Sequence, residues 1–153
     1  ERRTNFFLNK KINKLFPPFL NLRRPGLNLA LQGLQFVSTS TAAQNQSLAF
    51  PHHIHSISTN ADNQDVVSMG TDAALLAAKV VENTFIILSI ETIALSQAVE
   101  IRDIKDRLSK DSRKLCDAIH SVFPPVTDDR LLTEELPSAL ELLKTSPLAD
   151  MKW

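Results

Sequence analysis

The sequence predicts an all-α fold, and three features of its 153 residues lead to that prediction. Glycine occurs only three times, so the chain has few of the turns that depend on it. Neither glycine nor proline interrupts the chain between Gly70 and Pro124. Apolar residues recur at helical spacing through residues 72–101, with alanine between them. We therefore expect one domain built as an up-and-down bundle of long helices.

Two helices are expected before the first long loop. Residues 1–16 form an amphipathic helix, which Pro17 would end because proline cannot continue a helix. Residues 19–26 are expected to be a loop that contains a Pro-Gly turn. Residues 27–49 form the second helix, which stops at Pro51. Its Ser-Thr-Ser-Thr stretch has low helix propensity, so burial would have to override that local preference.

A polar loop precedes the longest predicted helix. Residues 56–65 are rich in Ser, Thr, Asn and Asp, which favour turns and helix caps. Asn60 and Gln64 are four residues apart, so a helical turn here would place both amides on one face. Such polar groups are expected either to cap helices or to face a cavity.

Residues 72–101 are expected to form a single core helix, roughly 45 Å long at the usual rise per residue. The helix is apolar on most of its faces, which is typical of a helix buried in a bundle. A membrane-spanning helix carries few charges. Lys79, Glu82 and Glu91 therefore favour a core helix over a membrane span.

The residues after Ile101 are strongly charged but keep one narrow apolar stripe. They are expected to form either a solvated continuation of the core helix or a second helix after a bend. We assign residues 1–104 to the core helical bundle and residues 105–153 to a C-terminal helical extension of the same domain.

Within that extension, Pro124 and Pro125 should end the charged helix. Thr127 or Asp128 would then cap a short leucine-rich helix. Pro137 is expected to break that helix in two, and the final eight residues are expected to be a loop.

The composition excludes several classes of protein. The net charge is zero, which indicates no affinity for nucleic acid or for a membrane surface. Cys116 is the only cysteine, so no internal disulfide forms and a reducing compartment is favoured. The first residues lack the continuous apolar segment of a secretory signal. We expect a cytoplasmic protein, and a chain that begins at Glu1 rather than Met suggests a piece of a longer one.

No metal site is predicted. His52, His53 and His55 form a cluster of potential imidazole ligands. No carboxylate or cysteine stands at the usual zinc spacing, so local hydrogen bonding of these histidines is the preferred interpretation. Cys116 is interpreted as a small buried hydrophobe, and His120 as a structural residue near a helix C-terminus.

The remaining charged residues need no catalytic interpretation. The basic pairs Arg2–Arg3, Lys10–Lys11 and Arg23–Arg24 are interpreted as solvated faces. The acidic pairs Asp128–Asp129 and Glu134–Glu135 are placed on a surface helix. These residue types and spacings alone therefore indicate no particular reaction.

Three stretches resemble one enzyme family. SISTNADNQDVVSMG is similar to the segment before the long core helix of the histidine, phenylalanine and tyrosine ammonia-lyases and the related aminomutases. These enzymes use a 4-methylideneimidazol-5-one (MIO) prosthetic group. GLNLALQGLQFVSTSTAAQNQSLAFP and AAKVVENTFIILSIETIALSQAVEIR resemble the helices on either side, and the start Glu-Arg-Arg resembles a helix start of the family. The resemblance covers residues 1–104 and implies a long-helix bundle of the ammonia-lyase type.

Three features of the family are missing from this chain. The chain has no Ala-Ser-Gly triad, from which the family forms MIO, and it has no tyrosine, the family's catalytic base. The upstream motif that carries the carboxylate-binding arginine is also missing. The resemblance therefore implies the C-terminal part of a larger subunit, inactive alone, with MIO formed autocatalytically elsewhere in the full-length chain.

The resemblance implies four substrate-binding residues. Gln64 stands where histidine ammonia-lyases have glutamate and the phenylalanine and tyrosine enzymes have glutamine. Asn60 stands where plant phenylalanine ammonia-lyases have a glutamate near the substrate amine. Phe36 falls at a position that packs on the aromatic ring, with plain core packing as the alternative. Gln32 lies one turn earlier, where the plant lyases have lysine.

Resemblance to this family also implies a reaction. MIO takes up the substrate amine, the tyrosine removes a β-proton, ammonia leaves and an arylacrylate forms. We predict a phenylalanine aminomutase, which returns the amine at the β-carbon of a cinnamate intermediate. The first alternative is a phenylalanine or tyrosine ammonia-lyase that releases the arylacrylate. The second is a non-catalytic helical scaffold. The implied partners are an aromatic amino acid, the remainder of the same chain and three further copies in a homotetramer.

Overall fold

The structure, a computed structural model, describes residues 1–145 and is helical. The described helices are α1 (Arg2–Leu8), α2 (Lys10–Asn13), α3 (Gln32–Leu48), α4 (Gly70–Arg102), α5 (Lys110–Val122) and α6 (Leu136–Thr145). Single 3-10 turns lie at Pro18–Leu20, His52–Ile54 and Lys105–Arg107. Two isolated bridges, and no strand, occur in this part of the chain. The all-α prediction is confirmed. The predicted loop over the last eight residues lies outside the described residues.

Helix α4 confirms the predicted extent of the long helix, because its 33 residues extend the expected range by only two residues at the start and one at the end. Met69 and Asp103, at φ 49° and 48°, flank the helix in left-handed conformation. The half of α4 that follows Ser89 is largely buried, whereas the half before it is largely exposed. By length and composition alone, α4 is also long and apolar enough to cross a membrane.

The hydrophobic core surrounds the second half of α4. Ile90 and Ile93 from α4 are fully enclosed, together with Leu34 of α3 and Ile119 of α5. Helix α1, helix α6 and the turn that contains Leu20 complete this enclosure. The core therefore lies at one end of α4, and the other end of α4 contacts mainly α3.

One buried amide joins three parts of this core. Gln97 of α4 donates from Nε2 to the carbonyl oxygens of Leu20 (3.1 Å) and Val126 (3.0 Å). The amide N–H of Val126 donates back to Oε1 of Gln97 at 3.0 Å. The sequence placed Gln97 on the core helix, and the structure gives its side chain a specific role in holding two loops against α4.

The expected first helix is shorter than predicted. It is interrupted at Asn9, whose side chain accepts from the amide N–H of Lys11, and the helical part ends at Asn13. The side chain of Asn13 accepts from the amides of Leu15 and Phe16, both at 2.8 Å. The side chains of Asn9 and Asn13 thus bind backbone amides in place of helical hydrogen bonds, and the helix ends before it reaches Pro17.

Helix α3 begins five residues later than predicted, at Gln32 rather than at residue 27. The Asp129 carboxylate accepts from the amides of Leu29 (2.9 Å) and Ala30 (3.0 Å), and Ala30 has φ 47°. A left-handed residue cannot continue a right-handed helix. This contact also corrects the prediction that the Asp128–Asp129 pair lies on a surface helix.

In the C-terminal part of the chain, one predicted alternative is confirmed and two predictions are wrong. The bend at Asp103 makes α5 a separate helix, which agrees with one of the two alternatives for this stretch. No helix begins at Thr127 or Asp128, and Pro137 does not divide a helix. Instead α6 begins at Leu136, so Pro137 lies in its first turn, where a missing N–H costs nothing. The division into residues 1–104 and 105–153 stays a prediction.

Candidate functional site

Gln32 and Phe36 lie one turn apart at the start of α3. Gln32 is half-buried, and the side chain of Phe36 is 67% exposed. The prediction that Phe36 contacts a substrate ring had core packing as its alternative. Within the described chain Phe36 packs in no core, so its ring is available to another partner.

Asn60 and Gln64 lie on the polar loop, and both are exposed. The loop is not a helical turn. Thr59 and Gln64 exchange two backbone hydrogen bonds, Thr59 N to Gln64 O at 3.0 Å and Gln64 N to Thr59 O at 3.3 Å. Asn60 and Gln64 therefore do not share a helix face. Asn60 lies in the turn of a narrow hairpin-like loop, and Gln64 lies where its backbone pair with Thr59 closes that loop.

The turn inside this loop is left-handed. Asn60, Ala61 and Asp62 have φ values of 57°, 53° and 65°. The amide N–H of Asn63 donates to the carbonyl of Asn60 at 3.1 Å, which closes the turn. Asn and Asp tolerate this conformation because their short polar side chains bond locally, whereas alanine is rarely found in it.

Side-chain hydroxyls hold the loop on both sides of the turn. Ser58 donates from Oγ to the carboxylate of Asp62. Ser56 accepts from the amide of Val67 at 2.9 Å and donates to the carbonyl of Asp65 at 3.3 Å. The sequence of this segment indicates only turns and caps. The spacing of Ser58 and Asp62, with a Thr-Asn-Ala between them, is the signal that could have identified the pair.

An ion pair joins exposed Arg3 of α1 to a buried carboxylate on the core helix α4. Glu91, with its side chain 9% exposed, binds Nε of Arg3 at 2.7 Å, and Arg3 itself is 76% exposed. The Arg2–Arg3 pair was predicted to be a solvated face, and the exposure of both residues agrees with that prediction. The contact with Glu91 adds an ion pair that the sequence did not indicate. Eighty-eight residues separate the partners, so no local pattern in the sequence reports the contact.

Polar groups also meet where α4 and α5 pack. Nδ1 of His120 lies 3.5 Å from Oε1 of Glu100, and Nζ of Lys105 lies 2.5 Å from Oδ1 of Asp117. Burial lowers the pKa of His120, against the opposing effect of Glu100. The hydrogen bond to Asp117 raises the pKa of Lys105.

Cys116 is buried beside this cluster, and burial raises the pKa of its thiol. A thiol that is buried and protonated is a weak nucleophile. This confirms the interpretation of Cys116 as a small buried hydrophobe. His120 lies in the last turn of α5, as predicted.

His52 and His55 lie in a small aromatic patch with Phe50. The rings of His52 and His55 pack edge to face at 5.3 Å, and His55 lies 6.0 Å from the ring of Phe50. Among the side chains that the structure describes, which do not include that of His53, no three His, Cys, Asp or Glu residues are grouped as metal ligands would be. The preference for local interactions over metal binding stays a prediction for this loop.

The residues of this chain do not supply an MIO group. The group is built from an Ala-Ser-Gly triad, and no such triad occurs in the 153 residues. The chain also has no tyrosine that could act as a base. What the chain offers is a set of neutral polar and aromatic side chains that can bind a ligand, and no chemical step is derived from it.

Comparison with known sequences gives consistent matches. The family model described as "Aromatic amino acid lyase" matches residues 1–121. The tyrosine ammonia-lyase of Cereibacter sphaeroides is 39% identical over 151 residues, which are 97% of this chain and 29% of that protein. The histidine ammonia-lyase of a Geobacillus species is 35% identical over 94% of this chain and 28% of its own length. The chain thus spans less than a third of the curated relatives that it matches.

Solved structures match in the same way. The tyrosine aminomutase of Streptomyces globisporus superimposes with a TM-score of 0.92 at 32% identity, over 97% of this chain and 28% of the other. The phenylalanine aminomutase of Pantoea agglomerans gives 0.88 at 33% identity, over 93% and 28%.

Proposed function

Because the chain belongs to the aromatic amino acid lyase family, we propose that it is the C-terminal part of a phenylalanine aminomutase. The full-length enzyme would convert L-α-phenylalanine to β-phenylalanine through cinnamate. The MIO group and the tyrosine base would come from parts of the protein outside this chain. The chain itself would bind the substrate through Gln64, Asn60, Phe36 and Gln32.

The observation that carries the proposal is the neutral amide of Gln64 at the closed end of the loop. An amide can lie against an uncharged aromatic ring without leaving an unpaired charge in the pocket. A carboxylate at the same place would need a cationic partner or a proton. Gln64 therefore favours phenylalanine or tyrosine over histidine as the substrate.

The preference for an aminomutase rests on Phe36. Its exposed ring stands at the start of α3, at a family position that contacts the substrate ring. A bulky side chain there restricts how the arylacrylate can lie, and so affects the carbon to which the amine returns. The fold likeness to the phenylalanine and tyrosine aminomutases agrees with this assignment.

A tyrosine ammonia-lyase is the second candidate. The observation that favours it is the 39% identity to the Cereibacter enzyme of that name. Gln64 suits both substrates, because both rings are uncharged. The two candidates differ in their products, since a lyase releases arylacrylate and ammonia, and a mutase returns a β-amino acid.

The experiment is product analysis with the purified full-length protein. L-phenylalanine, L-tyrosine and L-histidine are supplied separately, and α-amino acid, β-amino acid and acrylate are separated by chromatography. The proposal expects β-phenylalanine as the main product from phenylalanine. Coumarate from tyrosine as the main product would replace the mutase by the lyase, and urocanate would contradict the role of Gln64. No product from any of the three would favour the non-catalytic scaffold.

We also propose that the full-length protein is a cytoplasmic homotetramer. Three exposed apolar residues recur at seven-residue spacing along α4: Val81, Leu88 and Leu95. A strict seven-residue repeat is the pattern of a helix that packs lengthwise against another helix. Within the described residues this stripe is left open to solvent, so copies of α4 from other subunits are its proposed partners.

A further inference from the structure

We propose that Ser58 and Asp62 are positioning residues of the substrate site, because their hydrogen bond holds the left-handed turn that presents Asn60 and Gln64. The inference rests on the proposed function and names two residues to which that function assigns no role. It concerns the backbone of the loop, since neither residue has to touch the substrate.

The turn needs support because its backbone is unfavourable. Left-handed conformation is costly for residues other than glycine, and here three of them follow one another, at Asn60, Ala61 and Asp62. Alanine in the middle has no side chain that could compensate through a local hydrogen bond. The sequence therefore relies on bonds from outside the three residues to keep this conformation populated.

The Ser58–Asp62 bond spans the turn. Ser58 stands two residues before the first left-handed residue, and Asp62 is the last of the three. A hydrogen bond to a carboxylate is stronger than one between neutral groups. The backbone pair between Thr59 and Gln64 overlaps this span and encloses all three left-handed residues, so the side-chain bond and the backbone pair support each other.

The hydrogen bonds that stabilise the left-handed turn come from within the loop. All ten residues from Ser56 to Asp65 are exposed in the described chain. Every hydrogen bond found for this segment in residues 1–145 has its partner between Ser56 and Val67. Losing one of these bonds should therefore loosen Asn60 and Gln64 without disturbing the helices.

The test uses the full-length enzyme with the variants Ser58→Ala and Asp62→Ala, measured with its best substrate. Each variant should lower kcat/KM about tenfold, mainly through a higher KM, because the turn is folded in a smaller fraction of molecules. The double variant should lose no more than either single one, since both remove the same bond. The conservative variant Asp62→Asn keeps an acceptor oxygen and should lose less than Asp62→Ala.

The decisive variant is Ala61→Gly in the Asp62→Ala background. Glycine adopts positive φ freely, so it should restore the turn, and with it KM, although the hydrogen bond is still missing. If Asp62 touched the substrate directly, glycine at position 61 could not restore KM. An unrescued loss would therefore overturn the inference.

Ser109→Ala serves as the matched control. The hydroxyl of Ser109 caps α5 by accepting from the amide of Ser112 at 3.2 Å, so its loss should lower the melting temperature and leave KM unchanged. Wild-type kinetics in both Ser58→Ala and Asp62→Ala would contradict the inference while leaving the proposed function intact. A wild-type enzyme with no activity on any aromatic amino acid would contradict the proposed function itself.

Discussion

At the scale of single residues, Phe36 is an exposed aromatic side chain that can contact another partner. It is the most exposed large apolar residue of α3, while Leu34 two positions earlier is buried. A lone exposed aromatic ring is common on protein surfaces. Its place one turn from Gln32, at a position proposed to contact the substrate ring, is what makes it a candidate for binding rather than an ordinary surface residue.

Replacing Phe36→Ala in the full-length enzyme should lower kcat/KM for phenylalanine roughly two- to tenfold, because one aromatic contact with the substrate ring is lost. The added space should admit bulkier ring substituents. The measurement is kcat/KM for phenylalanine and for para-substituted analogues. Val37→Ala is the control, since Val37 lines a groove with Leu136 on another side of α3. An unchanged substrate ranking in Phe36→Ala would remove Phe36 from the site.

At the scale of elements, helix α4 shows that a local sequence pattern can determine the bounds of a helix. Its predicted range and its observed bounds differ by at most two residues, because the periodicity and the lack of breakers are local properties. The start of α3 was predicted five residues too early, because Asp129 takes up the amides of Leu29 and Ala30 from a position about 100 residues away. Such long-range contacts leave no periodic signal in the sequence.

The candidate site likewise has features that the sequence could predict and features that it could not. The resemblance identified Gln64 and Asn60 by their motif, but their geometry was not predictable, since a four-residue spacing fits a helix and a narrow loop equally well. The ion pair of Arg3 with Glu91 was missed because its partners are on different helices. Pro137 was misjudged because a proline is harmful inside a helix and harmless in its first turn.

Gln97 should be essential to the stability of the core. Gln97→Leu keeps the size of the side chain but leaves the carbonyl of Leu20 and both backbone groups of Val126 buried without their partner. The expected loss in the free energy of unfolding of the full-length protein is about 2–4 kcal/mol. Gln46→Leu, at an exposed position of α3, is the matched control and should change it by less than about 0.5 kcal/mol. Equal stability of the two variants would show that these hydrogen bonds contribute little.

His120 should make the packing of α5 on α4 sensitive to acid. Burial lowers its pKa in the folded protein below the ordinary value of 6.5, despite Glu100. The unfolded chain therefore binds more protons than the folded one as the pH falls below 6.5, so stability is lost in that direction. The melting temperature of the full-length protein should fall between pH 7 and 5, and His120→Gln should reduce that fall. An identical fall in both proteins would contradict this account of His120.

At the scale of the whole molecule, the described chain leaves apolar residues of α4 exposed. Its core is well formed around the second half of α4, but the first half of that helix is largely exposed. The exposed apolar stripe of Val81, Leu88 and Leu95 favours association with another apolar surface. The proposed homotetramer would cover it, and the parts of the protein outside this chain would supply the reacting groups.

Expressed alone, residues 1–153 should therefore associate and show no lyase or mutase activity. The reasons are the missing Ala-Ser-Gly triad and tyrosine, and the open stripe along α4. Light scattering after size-exclusion chromatography measures the association, and release of arylacrylate measures the activity. Leu88→Glu places a charge in the stripe and should reduce the association. Acrylate production by the isolated chain would overturn this prediction.

The most direct test of the central claim is the substrate preference of the full-length enzyme with and without the amide of Gln64. The measurement is kcat/KM for phenylalanine, tyrosine and histidine in the wild type and in Gln64→Glu, with melting temperatures recorded for both. If Gln64 lies against an uncharged ring, glutamate should lower turnover of phenylalanine and tyrosine and shift the preference towards histidine. If Gln64 only takes part in the loop through its backbone pair with Thr59, glutamate should be well tolerated there, because the side chain at this position is exposed. Unchanged kinetics in Gln64→Glu would contradict the account.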